Sequence, residues 1–392
     1  MPEAHVVGAG QSDFGAHPAE SYRSLFLTAV EDALAGDDGD EPLSPADVDE
    51  LVLGTLGVGG RQLGLSAAAA ATHVGVEGPA TRVENACAAG GYAVRAAVRA
   101  VRAGEADLVL AGGVEVMNDL SESLPYWLGV SGETAYERLA GTTFSGVYAQ
   151  MAAAHMDAHG TTREDLSRVA VKNHRNGARN PHAHLAFECT LEEAMSGPAV
   201  AEPLGLYHCC PTTDGAAAVL VASDAAAADL DRPSVRVAGV GAGSDAVGLF
   251  DRETYTSIPA SRRAAERAYE AAGVGPDDLD LAEVHDCFSI AELLAYEDLG
   301  FCEPGESGDL LASGATALEG DLPVNTSGGL KAKGHPIGAT GTGQIVELYE
   351  QLLGRAGERQ VEGARRGLAH NVGGSGGAVV VHVLEHEEGG AA

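Results

Sequence analysis

Two stretches of the chain repeat the same order of apolar and polar positions. In the first, apolar residues at helical spacing over Ser21–Ala35 predict an amphipathic helix, which a polar turn joins to a buried strand, Glu50–Thr55. In the second, the same pattern predicts a helix over Ala260–Ala272 and a strand over Leu281–Val284, with the turn Gly275–Leu279 between them. This repeated helix–turn–strand order indicates an internally duplicated α/β unit.

The segments on either side of each unit also correspond. A short apolar strand precedes each unit, at His5–Gly8 and Val235–Gly239, and a small-residue loop, a helix and another buried strand follow it. We therefore predict an α/β protein of two lobes, residues 1–232 and 233–392. The following segments are Asn85–Gly91, Tyr92–Ala103 and Asp107–Gly112 in the first lobe, and Asn325–Gly343, Gln344–Leu353, Ala369–Val372 and Ala378–Leu384 in the second.

Residues from about 117 to 206 fit neither copy of the unit. They contain the only tryptophan, Trp127, a helical pattern over Val147–His159 and a polar stretch over Lys172–His184. Long insertions between core elements are often lids or substrate-facing loops. We predict a loop domain inserted in the first lobe, from which the chain returns to the core through the turn and buried strand of Thr213–Leu220.

The charge of the chain narrows the choice of partners. Its 392 residues include 57 acidic and 24 basic ones, a net charge of −33, and only three of the bases are lysines. Such acidity disfavours binding to nucleic-acid phosphates. The acids are dispersed and apolar content is normal, which argues against disorder. Dispersed acid with scarce lysine resembles the proteins of salt-accumulating halophiles, in which salt screens self-repulsion, and stability is expected to rise with salt.

Apolar runs and cysteine spacing bear on location and metal binding. No apolar run approaches the ~20 residues that cross a bilayer, so no membrane association is predicted. The start of the chain lacks the regions of a signal peptide and its end lacks a lipidation motif, so a cytoplasmic location is expected. The six cysteines, at positions 87, 189, 209, 210, 287 and 302, show no CxxC spacing and are expected to be free thiols.

Cys87 is the first candidate for a reactive group. It stands between a strand-like approach and an Ala-rich helix, within Val83-Glu84-Asn85-Ala86-Cys87-Ala88-Ala89-Gly90-Gly91. A thiol at a helix N-terminus lies near backbone N–H groups and the positive end of the helix dipole, which favour the thiolate. The glycines that follow let an acyl group approach. Taken alone, the segment is equally consistent with a buried structural cysteine.

Two histidines lie in segments that suit acid–base chemistry. His335 belongs to the glycine-rich run Gly334–Gly341, which is preceded by Asn325–Gly329. A histidine at a cavity lined by glycine backbone suits proton transfer or oxyanion binding. His285 opens His285-Asp286-Cys287-Phe288, directly after a buried strand, where α/β active sites collect. The alternatives are a glycine-rich surface loop for the first segment and a backbone-satisfied histidine for the second.

A fourth segment, His370–Gly377, is consistent with a tight glycine turn before the last strand or with part of a functional site.

The patterns for dinucleotide binding and for metal binding are weaker. Gly8–Gly10 and Gly239–Gly243 lack the GxGxxG spacing of dinucleotide-binding loops. The histidines and cysteines between positions 182 and 210 repeat no ligand spacing, so no metal site is predicted.

The four segments in this order resemble the thiolase family, and the His-Asp-Cys-Phe motif resembles its sterol-carrier-type and archaeal branch. The resemblance covers nearly the whole chain and includes Ile258–Ala264. It implies a duplicated thiolase-type fold with layers in the order α-β-α-β-α. It also implies reversible Claisen condensation of acyl-CoA, such as two acetyl-CoA to acetoacetyl-CoA and CoA, with CoA thioesters as substrates and no cofactor.

The resemblance implies a role for each of four side chains. Cys87 carries the acyl group, and His335 takes the proton from Cys87 or donates to the thioester enolate oxygen. His285 stands where many thiolases have an asparagine, and it is expected to bind the thioester oxygen. Cys287 is expected to be the acid/base that moves the substrate α-proton.

The resemblance is imperfect in the fourth segment. Common thiolases place a second catalytic cysteine where Asn371 stands, so Cys287 is expected to supply the missing thiol from another loop. The backbone N–H groups of Gly373 and Cys87 are the expected second oxyanion hole. Ser261 is the one position at which the family pattern suggests a CoA contact.

Two other functions remain open for the same residues. Lys331 and Lys333 beside His335 suggest a ketoacyl synthase-like condensing enzyme, although Pro336 and the Cys287 thiol favour a thiolase. A non-catalytic thiolase-like subunit of a complex is the second alternative. The resemblance implies a homodimer or homotetramer, and archaeal relatives often work with a small OB-fold, zinc-ribbon partner protein.

Overall fold

The computed structural model describes residues 3–36, 41–230 and 232–386. The outermost residues at both ends, on which the targeting predictions partly rest, lie outside these ranges. The strands are β1 (Ala4–Gln11), β2 (Glu50–Gly54), β3 (Ala80–Val83), β4 (Leu108–Glu115), β5 (Ala199–Ala201), β6 (Leu204–Gly205), β7 (Gly215–Ser223), β8 (Val235–Ser244), β9 (Leu281–Glu283), β10 (Arg366–Gly373) and β11 (Ala378–Glu385). The helices are α1 (Tyr22–Ala35), α2 (Ser66–Val74), α3 (Ala89–Ala103), α4 (Leu124–Leu128), α5 (Phe144–His159), α6 (Arg163–Gly177), α7 (Leu191–Ser196), α8 (Asp224–Leu230), α9 (Pro259–Ala272), α10 (Ser289–Asp298), α11 (Ser307–Ser313), α12 (Gly329–Ala332) and α13 (Thr340–Leu352).

Nine of the described strands form one sheet in the order β3-β2-β4-β7-β1-β8-β11-β10-β9. The antiparallel pair β1–β8 joins its two halves through only two residue pairs, His5 with Arg236 and Val6 with Val235. Outward from this junction, the pairings in each half are antiparallel, antiparallel and then parallel. The strand order therefore confirms the predicted duplication and adds a junction that the sequence pattern does not predict.

Helices cover the sheet in three layers. α1 and α2 pack on the first half of the sheet, and α9 and α10 pack on the second half. Between them lie α3 and α13, which contact each other and share one apolar cluster with strands from both halves. Strand alternation explains this: in β4, Val109 and Ala111 face the central helices, whereas Leu108 and Leu110 face the outer ones. The expected α-β-α-β-α layering is confirmed.

Both central helices begin earlier than the sequence pattern predicts. α3 begins at Ala89 instead of Tyr92, and α13 begins at Thr340 instead of Gln344. Glycine disfavours helix in isolation, but here it allows the two helix starts to come close. A Cβ on Gly341 would lie 2.3 Å from the backbone nitrogen of Gly91. Tertiary packing therefore extends both helices into segments that read as loops.

The insertion between β4 and β7 is mainly helical. α5 confirms the helix predicted over Val147–His159, and the stretch from Lys172 is helical up to Gly177. α6 packs against α10, α11 and α12 of the second half, whereas α4 packs near Leu56 of the first half, so the insertion contacts both halves. Within the described ranges, no helix is both long and apolar enough to span a bilayer.

Candidate active site

One cavity of about 270 Å³ brings together three of the predicted site side chains, Cys87, Cys287 and His335. It lies where the loops before α3 and α13, the start of α10 and the β10–β11 turn meet. Most of the remaining wall is apolar and includes Met117, Leu124, Leu128, Phe144, Phe288 and Ile337. Both halves of the duplicated fold therefore contribute to a single site.

Backbone geometry fixes the position of Cys87. The preceding residue, Ala86, has φ +50°, in the left-handed region that costs a non-glycine residue roughly 1–3 kcal/mol. Its N–H donates to the Glu84 carboxylate at 2.7 Å, which holds this turn. The turn places Cys87 two residues before the start of α3, with its sulfur close to the backbone N–H of Gly374.

The two predicted histidines flank this thiol. One ring nitrogen of His285, one of His335 and the Cys87 sulfur all lie within 4.8 Å of one another. The imidazole rings meet edge to face, with centroids 5.1 Å apart and an interplanar angle of 84°. His285 follows β9 and His335 precedes α13, so the fold brings together residues that are far apart in sequence.

Both imidazoles are neutral at physiological pH. Burial lowers the pKa of His335 to about 3, and its Nδ1 lies 2.7 Å from the hydroxyl of Thr340. Burial, with a smaller contribution from the neighbouring His335 and His370, also lowers the pKa of His285 well below its usual value. The Nδ1 of His285 lies 3.3 Å from the side-chain nitrogen of Asn371.

Cys87 differs from expectation in its protonation state. Burial raises the pKa of its thiol to about 12, although the N–H of Gly374 lowers it and the nearby Glu115 carboxylate raises it further. The prediction that the helix start favours a thiolate is therefore wrong for the free protein, because desolvation outweighs the helix dipole. Cys87 rests as a thiol and needs a base during the reaction.

Alkylation of Cys87 by iodoacetamide is therefore expected to accelerate steadily as the pH rises from about 6 to about 10, because below the pKa the thiolate fraction grows about tenfold per pH unit. The pKa of the folded thiol is raised, so no plateau should appear in this range. The measurement is the inactivation rate against pH, with the alkylated cysteine identified by peptide mapping. A plateau between about pH 6 and 8 would instead indicate a thiolate–imidazolium pair, as seen in low-pKa catalytic cysteines.

Cys287 lies across the same cavity. Burial raises the pKa of its thiol well above the usual value, the neighbouring Cys210 adds to this, and the interaction with the hydroxyl of Tyr148 opposes it. Tyr148 also stacks on Phe288, with ring centroids 4.7 Å apart, and its hydroxyl donates to the carbonyl of Gly374 at 3.0 Å. The sequence pattern does not identify Tyr148, because its helical segment lies in the insertion and carries no motif.

The β10–β11 turn also approaches Cys87. The backbone N–H beside the Cys87 sulfur belongs to Gly374, whereas Gly373 ends β10, pairs with Ala378 of β11 and lies against the carbonyl oxygen of Asn85. A Cβ on Gly373 would lie 2.3 Å from that oxygen, so this glycine is needed for close packing.

Ser261 does not reach the cavity. It is fully buried on the sheet-facing side of α9, and its hydroxyl lies 2.8 Å from Nε2 of His370. The expected contact with CoA is therefore not available to Ser261 in this structure, and its role is to satisfy a buried histidine.

The aspartate of the His-Asp-Cys-Phe motif has a supporting role that the sequence does not predict. Asp286 accepts hydrogen bonds from the backbone N–H groups of Leu330 at 2.6 Å and Lys331 at 3.1 Å, and from the Asn173 amide at 2.7 Å. It thereby ties the segment that carries His285 to the turn that leads to His335. Among the residues lining the cavity there is no lysine, and the Lys333 ammonium donates instead to the carbonyl of Gly343 at 2.9 Å.

Comparisons with known proteins identify the family of this chain. Residues 4–225 match the family model described as thiolase, N-terminal domain, and residues 241–386 match the model described as thiolase C-terminal domain-like. The chain is 43% identical over 391 residues to the acetyl-CoA acetyltransferase of Methanothermobacter thermautotrophicus, which covers 98% of this chain and 100% of that protein.

Two further matches extend the comparison. The chain is 34% identical over 398 residues to sterol carrier protein 2 of Rattus norvegicus, covering 97% of this chain and 71% of that protein. A solved structure described as an Ltp2-ChsH2(DUF35) aldolase superposes with a TM-score of 0.85 at 28% identity, covering 99% of this chain and 98% of the other. With both domain models matched across the residues that build the Cys87 cavity, the chain belongs to the thiolase family of acyltransferases.

Proposed function

We propose that this protein catalyses the reversible Claisen condensation of two acyl-CoA molecules, such as two acetyl-CoA to acetoacetyl-CoA and CoA, through an acyl group on Cys87. The observation that carries the proposal is the arrangement of two thiols and two neutral histidines. Cys87 lies within 4.8 Å of a ring nitrogen of His285 and of His335, and Cys287 lines the same cavity. One thiol can carry the acyl group while the other moves a proton.

Acylation begins from the resting thiol of Cys87. Its sulfur attacks the thioester carbon while His335 accepts the thiol proton, because the imidazole is unprotonated at rest and has a free nitrogen lone pair. The backbone N–H groups of Cys87 and Gly374 are suited to stabilise the oxyanion. The carbon–sulfur bond to CoA breaks, and the CoA thiolate takes the proton of Cys287, which the raised pKa keeps protonated at rest.

Condensation starts from the protonation states that acylation leaves, with Cys287 as a thiolate and His335 as an imidazolium. The Cys287 thiolate removes an α-proton from a second acyl-CoA, and the enolate oxygen is held by donors from His285 and the imidazolium of His335. The enolate carbon attacks the acyl carbon on Cys87, the carbon–sulfur bond breaks, and His335 returns its proton to the Cys87 thiolate. All four groups are then back in the resting state, and the reverse sequence cleaves a 3-ketoacyl-CoA.

We propose further that the protein works as a homodimer or homotetramer. The support is β3, which lies at one end of the sheet order, because an edge strand leaves backbone groups available for pairing with another copy. We also propose a small OB-fold, zinc-ribbon partner protein. The support is the solved structure of 28% identity, an Ltp2-ChsH2(DUF35) aldolase, which pairs two proteins.

Mass spectrometry after exposure to acetyl-CoA tests the proposed activity. An acetyl group is expected on the peptide that contains Cys87, and added CoA should remove it. Cys209, which lines the same cavity, is the internal control and should stay unmodified. The absence of acetylation, or acetylation of another cysteine, would contradict the proposal. Repeating the exposure with longer acyl-CoA substrates reports which chains the apolar cavity accepts.

A further inference from the structure

The amide of Asn371 makes three hydrogen bonds that together fix its orientation. Its oxygen accepts from the backbone N–H of Gly91 at 3.2 Å, and its nitrogen donates to the carbonyl of Cys87 at 3.0 Å. The same nitrogen lies 3.3 Å from Nδ1 of His285. If the amide were rotated by half a turn, its NH₂ group would face the N–H of Gly91 and its oxygen would face the carbonyl oxygen of Cys87. Neither pair can form a hydrogen bond, so only the observed orientation satisfies both partners.

Tight packing keeps the amide in this orientation. A Cβ added to Gly341 would lie 2.2 Å from the Asn371 oxygen, and one added to Gly91 would lie 2.8 Å from it. The side chain itself is buried. The glycines therefore form a close-fitting socket for one amide, and its two hydrogens are directed at Cys87 and His285.

This orientation decides which nitrogen of His285 carries the proton. Because the Asn371 nitrogen is a donor, Nδ1 of His285 must accept with its lone pair. A neutral imidazole with a bare Nδ1 carries its hydrogen on Nε2. That Nε2 is buried and has no hydrogen-bond partner among the described residues. A buried donor without a protein partner is costly unless a ligand accepts its hydrogen bond.

His335 is held in the opposite state. The hydroxyl of Thr340 donates to the carbonyl of Pro336 at 3.0 Å, so it accepts from Nδ1 of His335 at 2.7 Å. With its hydrogen on Nδ1, His335 has a lone pair on Nε2. The contacts with Asn371 and Thr340 therefore leave a donor at Nε2 of His285 and an acceptor at Nε2 of His335.

We infer that Asn371 is a positioning residue that holds His285 in the Nε2–H tautomer, so that His285 donates to the thioester oxygen while His335 acts as the base beside it. The inference rests on the proposed function for the identity of the oxygen. It also gives Asn371 a reason to occupy a position at which common thiolases have a cysteine, because a thiol cannot serve as a comparably strong fixed donor.

The substitution Asn371→Asp tests this inference. Aspartate has the same shape, but the atom that faces His285 becomes an acceptor and should draw the hydrogen to Nδ1. The expected result is a fall in kcat of about 10²–10³-fold, the usual effect of losing one oxyanion donor, with KM changed much less. ¹⁵N NMR of histidine-labelled protein, assigned with the His285→Asn variant, should show Nε2–H in the wild type and Nδ1–H in Asn371→Asp.

The NMR result separates this inference from the proposed function, since it needs no turnover. An unchanged Nε2–H signal in Asn371→Asp overturns the inference, whereas a wild-type protein that fails to acetylate Cys87 overturns the function. If Asn371→Asp does not fold, Asn371→Leu is measured instead. It removes the donor without adding charge, and both tautomers of His285 should then be seen; Nε2–H alone would overturn the inference.

A second measurement excludes a purely structural role. In the His285→Asn background, the residue at 285 donates through an amide that has no tautomer to change. Adding Asn371→Asp should then lower kcat by less than about tenfold, much less than in the wild-type background. Equal losses in both backgrounds would mean that the aspartate acts by charge or packing alone, and the inference would fail.

Discussion

Replacing Cys87 with alanine is expected to reduce acyl transfer from acetoacetyl-CoA to CoA by on the order of 10⁴-fold or more, because removing a covalent nucleophile eliminates the two-step route. The His285 and His335 rings remain in place in this variant, so substrate binding should change little. The measurements are the rate of acetoacetyl-CoA loss and the KM for each substrate.

The control for this variant is Cys209→Ala. Cys209 lines the same cavity but has no assigned step, so its loss should alter the rate only a few-fold. Activity of Cys87→Ala close to that of the wild type would contradict the proposed mechanism, and would favour a non-catalytic or different role for the site.

Replacing Cys287 with alanine is expected to separate the two half-reactions. Condensation and 3-ketoacyl-CoA cleavage should fall by about 10²–10⁴-fold, because the α-proton loses its acid/base. Acetylation of Cys87 should be affected much less, because a CoA thiolate leaves readily without a strong acid. Acetyl-Cys87 should therefore accumulate, and mass spectrometry together with condensation assays would detect this.

Cys210→Ala is the matched control for Cys287→Ala. Cys210 is the neighbouring thiol, and its backbone N–H donates to the carbonyl of Cys287 at 3.0 Å. Its substitution should preserve both half-reactions. An equal loss of acetylation and condensation in Cys287→Ala would show that Cys287 maintains the site's structure instead of moving a proton, and the acid/base would have to be sought elsewhere.

Local patterns predicted the elements of this fold well. The helix spacing in α1 and α9 and the apolar runs in β2 and β10 are properties of short segments, and their repetition revealed the duplication. Cys87 and His335 could also be selected from their glycine-rich neighbours. The joining of the two halves into one continuous sheet could not be predicted, since the β1–β8 junction involves only two residue pairs.

What the sequence did not predict depends on burial and on distant contacts. The thiolate expected at Cys87 is opposed by desolvation, which appears only when both halves close over the thiol. Tyr148 approaches Cys287 from the insertion, far away in sequence. Ser261 lies on the buried face of α9, and the short-range pattern did not identify its partner, His370, which lies in β10.

The order in which the site is assembled along the chain has a consequence for protein synthesis. Translation delivers Cys87 before β10, which carries Asn371, and before Gly374, which lies between β10 and β11. Domains fold as their residues emerge from the ribosome. A nascent chain that has passed Cys87 but has not reached α13 therefore bears the thiol without Asn371 or the N–H of Gly374. In the proposed mechanism, acyl transfer becomes possible only after Gly374 has been synthesised and β10 has joined the sheet.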